Sequence, residues 1–225
     1  MRFLLALMLA VIVVAGCDAK PAEDPTTAAK KFPTPDDPAI RKTAPETFQV
    51  KFATSAGDVV LEVHRPWAPI GVDRFYNLVV NGFYDDTRIF RVEPATAKYH
   101  VVQWGVSGDP AISREWFTAT IRDDPVRQMN MEGLVSFAKS PTPHTRTTQI
   151  FVNLRDHPSL DMRGFAPIGK ITQGLDILKG LTPTTPENDH LGRVPDQNKI
   201  AGVGNQYLDP NFPKLCRILT AKVIP

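Results

Sequence analysis

Cysteine is almost missing from this chain: 2 in 225 residues, Cys17 and Cys216. A disulfide-dense scaffold and a thiolate metal cluster both need more than that. Histidine is equally thin. His64, His100, His144, His157 and His190 are scattered, with no pair at ligand spacing on one element, so no metal site is predicted. No apolar run reaches the roughly twenty residues of a membrane-spanning helix; residues 3–14 are unbroken but stop short. Neither sign of charge dominates, since 26 Lys and Arg face 24 Asp and Glu for a formal +2. That balance carries no nucleic-acid footprint and points to no dedicated acidic partner. No internal repeat is visible.

What the chain does have is proline, 21 in all, clustered at the start and in the last third, and an N-terminus built for export. Arg2 supplies the positive charge, residues 3–14 the apolar stretch, and small residues follow directly. Val14-Ala15-Gly16-Cys17 resembles a bacterial lipobox, which makes residues 1–16 a signal peptide and Cys17 the lipidated first residue. The plain alternative is a secretory signal cleaved near Ala15 or Ala19. With Cys17 lipidated, Cys216 has no partner and reads as a buried, inert thiol in a strand-like stretch. Residues 17–46 are rich in Pro, Asp, Thr, Ala and Lys and read as a disordered tether. The expectation is therefore an exported, membrane-anchored lipoprotein facing the periplasm, with one folded domain over 47–225.

From Thr47 the pattern changes. Phe48, Val50 and Phe52 alternate with Gln49 and Lys51, and Val59, Leu61 and Val63 alternate after a turn at Ser55-Ala56-Gly57-Asp58, which predicts a β-hairpin. Pro69 opens a helical spacing of Val72, Phe75, Leu78 and Val79 that ends at Gly82. Further strand-like runs cover 88–92, 100–104, 134–138, 150–153, 166–171 and 215–224, and a short helix covers 175–181. Many short strands with two helices suggest a closed antiparallel barrel, because closure removes exposed edges.

Two stretches carry the chemistry. One is Phe83-Tyr84-Asp85-Asp86-Thr87-Arg88-Ile89-Phe90-Arg91-Val92 with Val101-Val102-Gln103-Trp104-Gly105 behind it; the other is Arg146-Thr147-Thr148-Gln149-Ile150-Phe151-Val152-Asn153. Together they resemble the active-site strands of the cyclophilins, the prolyl cis–trans isomerases. Leu160 to Gly169, Gly108-Asp109-Pro110, Asp123-Asp124-Pro125-Val126 and Phe212-Pro213-Lys214-Leu215 extend the resemblance over Phe48 to Val223. Six matches in order are strong where any one is weak.

The resemblance implies a closed eight-stranded antiparallel barrel capped by two helices, and a monomer that acts on proline-containing unfolded polypeptides without a cofactor. It places Arg91 at the catalytic arginine and Gln103 at the glutamine that holds the substrate backbone. Phe151 and Leu160 become the floor and wall of a proline pocket, Gln149 lines the groove beside them, and Phe165 is a further wall. Ala138 and Lys139 border the peptide backbone, with lysine where asparagine is usual. His100 and Val101 fall where the family has apolar pocket residues, after a segment lengthened by residues 95–99. Glu93, two residues past Arg91, is an acid that competes for it if turned inward. The bland readings are a surface arginine in an ion pair and plain core for Phe151 and Leu160.

Two rivals remain. Ser136-Phe137-Ala138-Lys139 fits Ser-x-x-Lys, the nucleophile motif of penicillin-binding proteins. That serine should open a helix, whereas 134–138 reads as a strand and no Lys-Thr-Gly partner is present. The stronger rival is a proline-peptide-binding chaperone on the same fold with little catalysis.

Overall fold

The computed structural model describes residues 32–186 and 194–225. The signal peptide, the lipobox with Cys17, residues 17–31 of the tether and His190 lie outside the described residues. Alternation makes the first hairpin. In β1 (Thr47–Thr54) Phe48, Val50 and Phe52 are buried while Gln49 and Lys51 are half-exposed. β2 (Gly57–His64) pairs with it in register, Val50 opposite Leu61. Gly57 turns the chain at φ +130°, a conformation side chains rarely adopt.

The remaining strands are β3 (Thr87–Arg88), β4 (Arg91–Val92), β5 (Val101–Trp104), β6 (Leu134–Phe137), β7 (Ile150–Asn153), β8 (Pro167–Gln173) and β9 (Arg217–Ile224). One antiparallel sheet joins them in the order β3-β9-β1-β2-β8-β6-β7-β5-β4. This is a curled half-barrel of nine strands, and it corrects the closed eight-stranded barrel read from the sequence. The cause lies in residues 88–92, expected as one strand. Ile89 N–H still bonds Cys216 O (2.9 Å) along the line of β9, whereas Phe90 turns into a separate apolar cluster and Arg91 pairs with β5. The two halves of the segment therefore sit at opposite ends of the ladder. Cys216, expected to be buried, is only partly so and packs at the edge of the core.

Helix α1 (Pro69–Val80) buries Val72, Phe75, Leu78 and Val79 in the main core. Ala68 offers it no side-chain cap. The Asp124 carboxylate does so from a distance, accepting from Ile70 N–H (3.0 Å) and Gly71 N–H (2.8 Å) and meeting the positive end of the helix dipole. Phe52, Phe75, Tyr84 and Trp104 meet in the centre, and the buried Tyr84 hydroxyl donates to Thr148 O at 2.8 Å.

The domain begins earlier than the composition suggested. Phe32 packs edge-on against Phe83 and Trp116, and Trp116 Nε1–H donates to Pro33 O. Asn77 exchanges two hydrogen bonds with the Lys42 backbone, Asp73 accepts from Ala44 N–H, and Ile40 and Ala44 are buried. Residues 32–46 are thus a strap laid across α1, where the sequence reading had a tether.

Among the described residues, five further α-helices are short. α2 (Pro110–Trp116), α3 (Pro158–Met162) and α4 (Leu175–Lys179) are followed by α5 (Gln197–Val203) and α6 (Asn205–Asn211). α5 and α6 bring Ile200, Ala201, Leu208 and Phe212 onto Phe90 and Val106 as a second small core. Arg88 anchors that unit: its Nε and Nη2 donate to both carboxylate oxygens of Asp209 (2.9 and 3.0 Å), and its Nη1 donates to Asp86.

Candidate active site

Strand alternation decides which side chains meet. On β5, Val102 and Trp104 enter the main core, so Val101 and Gln103 point to the opposite face. Register then places Arg91 opposite Gln103, and Gln103 opposite Phe151, in one row across β4, β5 and β7. Gln149, two residues before Phe151, shares its face. Gln103 links the row: Arg91 Nη1–H donates to its Oε1 at 3.2 Å, and its Nε2–H donates to Gln149 Oε1 at 2.7 Å. Gln103 and Gln149 are buried, while the Arg91 side chain keeps 43% exposure. A charged, accessible guanidinium is thereby carried on a buried amide chain.

Beside the row, Val101, Phe151, Leu160 and Phe165 form a separate apolar cluster flanked by Tyr99 and Ala138. Phe151 and Phe165 meet edge to face, with centroids 5.6 Å apart. These residues with Arg91, Gln103, Lys139 and Gln149 line one cavity of about 540 Å³. Gly105 lets the chain leave β5 close to the Thr148–Gln149 backbone that leads into β7. Its φ is +109°, and a Cβ there would stand 2.6 Å from Thr148 O.

Lys139 is not free to act as a cation. Its side chain is almost wholly buried, its Nζ donates to Asp123 Oδ2 at 3.0 Å, and it lies over the Phe165 ring. Burial works to raise the Asp123 carboxyl, but the His144 backbone N–H, Lys139 and Arg146 outweigh it and hold the group below its ordinary 3.8. A depressed carboxylate stabilises the fold fully above the unfolded-state value, and that contribution is lost as pH falls through the folded-state value. Acid titration of the unfolding midpoint below about pH 4 should therefore show a steeper fall in wild type than in Asp123→Asn. Equal slopes would mean that the carboxylate contributes nothing.

Of the residues expected at the site, only His100 is absent from the cavity. It lies three positions from Gln103 and so on the other side of the strand, with its N–H donating to His157 Nε2. The cavity also takes in Tyr99, Phe117, Ser140, Thr145, Thr147, Arg163 and Gln197, which the sequence reading missed. Arg163 sat within the quoted Leu160–Gly169 stretch and was legible there; its Nη1–H donates to Tyr99 Oη at 2.8 Å. Tyr99 belongs to the lengthened 95–99 segment, which Arg155 pins through the carbonyls of Ala95, Ala97 and Lys98. Phe117 and Gln197 carried no signal. Glu93 does turn inward, and its Oε1 accepts from Arg91 Nε–H at 2.6 Å.

A sequence model of the cyclophilin type peptidyl-prolyl cis-trans isomerase/CLD family matches residues 49–204. The chain belongs to this family. Among named cyclophilins it is 29% identical over 150 residues to peptidyl-prolyl cis-trans isomerase A of Dickeya dadantii, covering 62% of this chain and 73% of that protein. It is 30% identical over 155 residues to peptidyl-prolyl cis-trans isomerase-like 1 of Gibberella zeae, covering 66% and 91%. A crystal structure of a Cryptosporidium parvum cyclophilin superposes with a TM-score of 0.56 at 19% identity, over 80% of this chain and 98% of that one. A second structure of that protein, in the presence of the dipeptide Ala-Pro, gives 0.54 over 79% and 99%. The fold of this cyclophilin is thus the one found in solved members.

Proposed function

We propose that this cyclophilin is a peptidyl-prolyl cis–trans isomerase acting on exported polypeptides, and that Arg91 is its electrophilic group. The observation that carries the reading is the Arg91–Gln103–Phe151 row beside the apolar cluster of Val101, Phe151, Leu160 and Phe165. An X-Pro bond rotates only over tens to hundreds of seconds because amide resonance must be broken. Rotation needs no proton transfer, covalent step or cofactor. It needs the prolyl nitrogen drawn out of conjugation while the two sides of the bond are held separately. A permanently charged donor aimed at that nitrogen stabilises the pyramidal transition state more than the planar ground state.

Each residue has a task in that scheme. Val101, Phe151, Leu160 and Phe165 hold the ring and exclude water, which strengthens the charge interaction. Gln103, oriented by Gln149, holds the substrate backbone while supporting Arg91. Ala138 and Lys139 border the peptide. Proline-containing peptides suit these walls, and the Ala-Pro dipeptide used with the Cryptosporidium parvum relative is of the same class. A monomer suffices, since every proposed group comes from one chain. The direct test is the isomerisation rate of X-Pro peptides with the soluble domain beside Arg91→Ala. A binder without catalysis would hold such peptides yet leave the rate at its uncatalysed value.

The export reading rests on the N-terminal sequence alone. Under it, lipid on Cys17 anchors the isomerase to a membrane facing the periplasm. Cys17→Ser is expected to move the protein to the soluble fraction with its unfolding midpoint unchanged. Wild-type protein that is wholly soluble and lipid-free by mass spectrometry would remove the anchor and leave the isomerase intact.

A further inference from the structure

The arginine at the centre of this site has four rotatable side-chain bonds and keeps substantial exposure, so by itself it samples many orientations. Two neighbours restrict it, and they take different edges of the fork. Gln103 accepts from Nη1 and Glu93 accepts from Nε, the latter at 2.6 Å. Among the described residues, Nη2 has no hydrogen-bond partner. Glu93 is itself firmly mounted. Its N–H donates to Val101 O at 2.9 Å, Pro94 follows it with a fixed φ, and the preceding Val92 N–H is held by Thr184 Oγ1.

We propose that Glu93 is a positioning residue for Arg91, holding the guanidinium through its Nε–H so that the fork stays fixed at the cavity it lines. This deepens the isomerase reading and rests on it. A carboxylate beside the electrophile has two opposed effects. It draws on the positive charge, and it fixes the direction of the fork. The first is weak here, because the Arg91 and Glu93 side chains are 43% and 26% exposed and water screens their attraction. The second is not screened, since the orientation is set before substrate arrives and the ordering of a long side chain is already complete. Geometry outweighs charge, and the acid serves the reaction.

Glu93→Ala and Glu93→Gln in the full domain, assayed beside wild type and Arg91→Ala, separate the possibilities. Loss of positioning is expected to lower kcat by roughly three- to tenfold, with KM within about twofold of wild type. Glu93→Gln keeps an oxygen for Nε–H and is expected to recover more than half of that loss. The Arg91 Nε–H resonance should be distinct in wild type and in Glu93→Gln and average towards free arginine in Glu93→Ala. An unchanged or raised kcat in Glu93→Ala, or a resonance that does not move, overturns the positioning role. If Arg91→Ala itself retains full rate, the failure lies in the isomerase mechanism and not in Glu93 alone.

Discussion

Arg91→Ala is expected to cut the isomerisation rate by more than about tenfold, a loss of at least about 1.4 kcal/mol of transition-state stabilisation. The truncation removes the sole charged group on the Arg91–Gln103–Phe151 row, and it frees Gln103 Oε1 from its donor. Peptide affinity should change much less, because in the proposed mode of binding the proline ring rests on Val101, Phe151, Leu160 and Phe165, none of which touches the fork in the pairings described. Arg91→Lys should recover little. An ammonium restores the charge but has no Nε edge for Glu93 and no planar fork to span Glu93 and Gln103 together. The measurement is kcat and KM on a series of X-Pro peptides. Rate surviving Arg91→Ala would favour a client-holding protein on the same fold.

Phe151→Ala is expected to act on both folding and binding. Phe151 is 5% exposed, packs edge-on against Phe165 and stands on β7 between β5 and β6. Truncating a buried phenylalanine costs about 3–5 kcal/mol, and a position flooring an open cavity belongs near about 3 kcal/mol because the hole is shared with solvent. The ring's removal also takes away part of the surface proposed to hold proline, so KM should rise as kcat/KM falls. That pattern distinguishes it from Arg91→Ala, where KM holds and kcat drops. Phe151→Leu, which keeps most of the volume, is expected to restore the unfolding midpoint more fully than the affinity. An unchanged KM in both variants would mean that proline binds elsewhere.

The hairpin β1–β2 and helix α1 were legible because burial follows the period of the element, 2 along β1 and about 3.6 along α1. The site row was legible through the motifs at 83–92, 101–105 and 146–153, which hold its chemistry on contiguous strands. His100 shows what position matching leaves out. Its place in the motif suggested the pocket, but an odd offset from Gln103 turns it away. The strap at 32–46 escaped notice because Asp73 and Asn77 hold it mainly by its backbone, which leaves no trace in its own composition. Helices α5 and α6 were hidden by Gly202, Gly204 and Pro210, which interrupt any helical period, and their second core forms only with Phe90 and Val106 far back in the chain. The gap at Ile89–Phe90 could not be read locally either, since both residues have the apolar character a strand would have.

The strap bears on reach. Counted from Cys17 to β1, the sequence reading left residues 18–46 as free line, a span of about 100 Å at full extension. Phe32, the first described residue, already packs on the domain, so under the anchored reading only residues 18–31 lie between Cys17 and a fixed point on it. Fourteen residues extend to about 50 Å at most, roughly the thickness of one bilayer with its headgroups. Under the anchored reading, Phe32 is confined to a shallow layer above the membrane. On that reading, chains emerging through the membrane would pass within range, whereas those already released into the compartment would have to come to it.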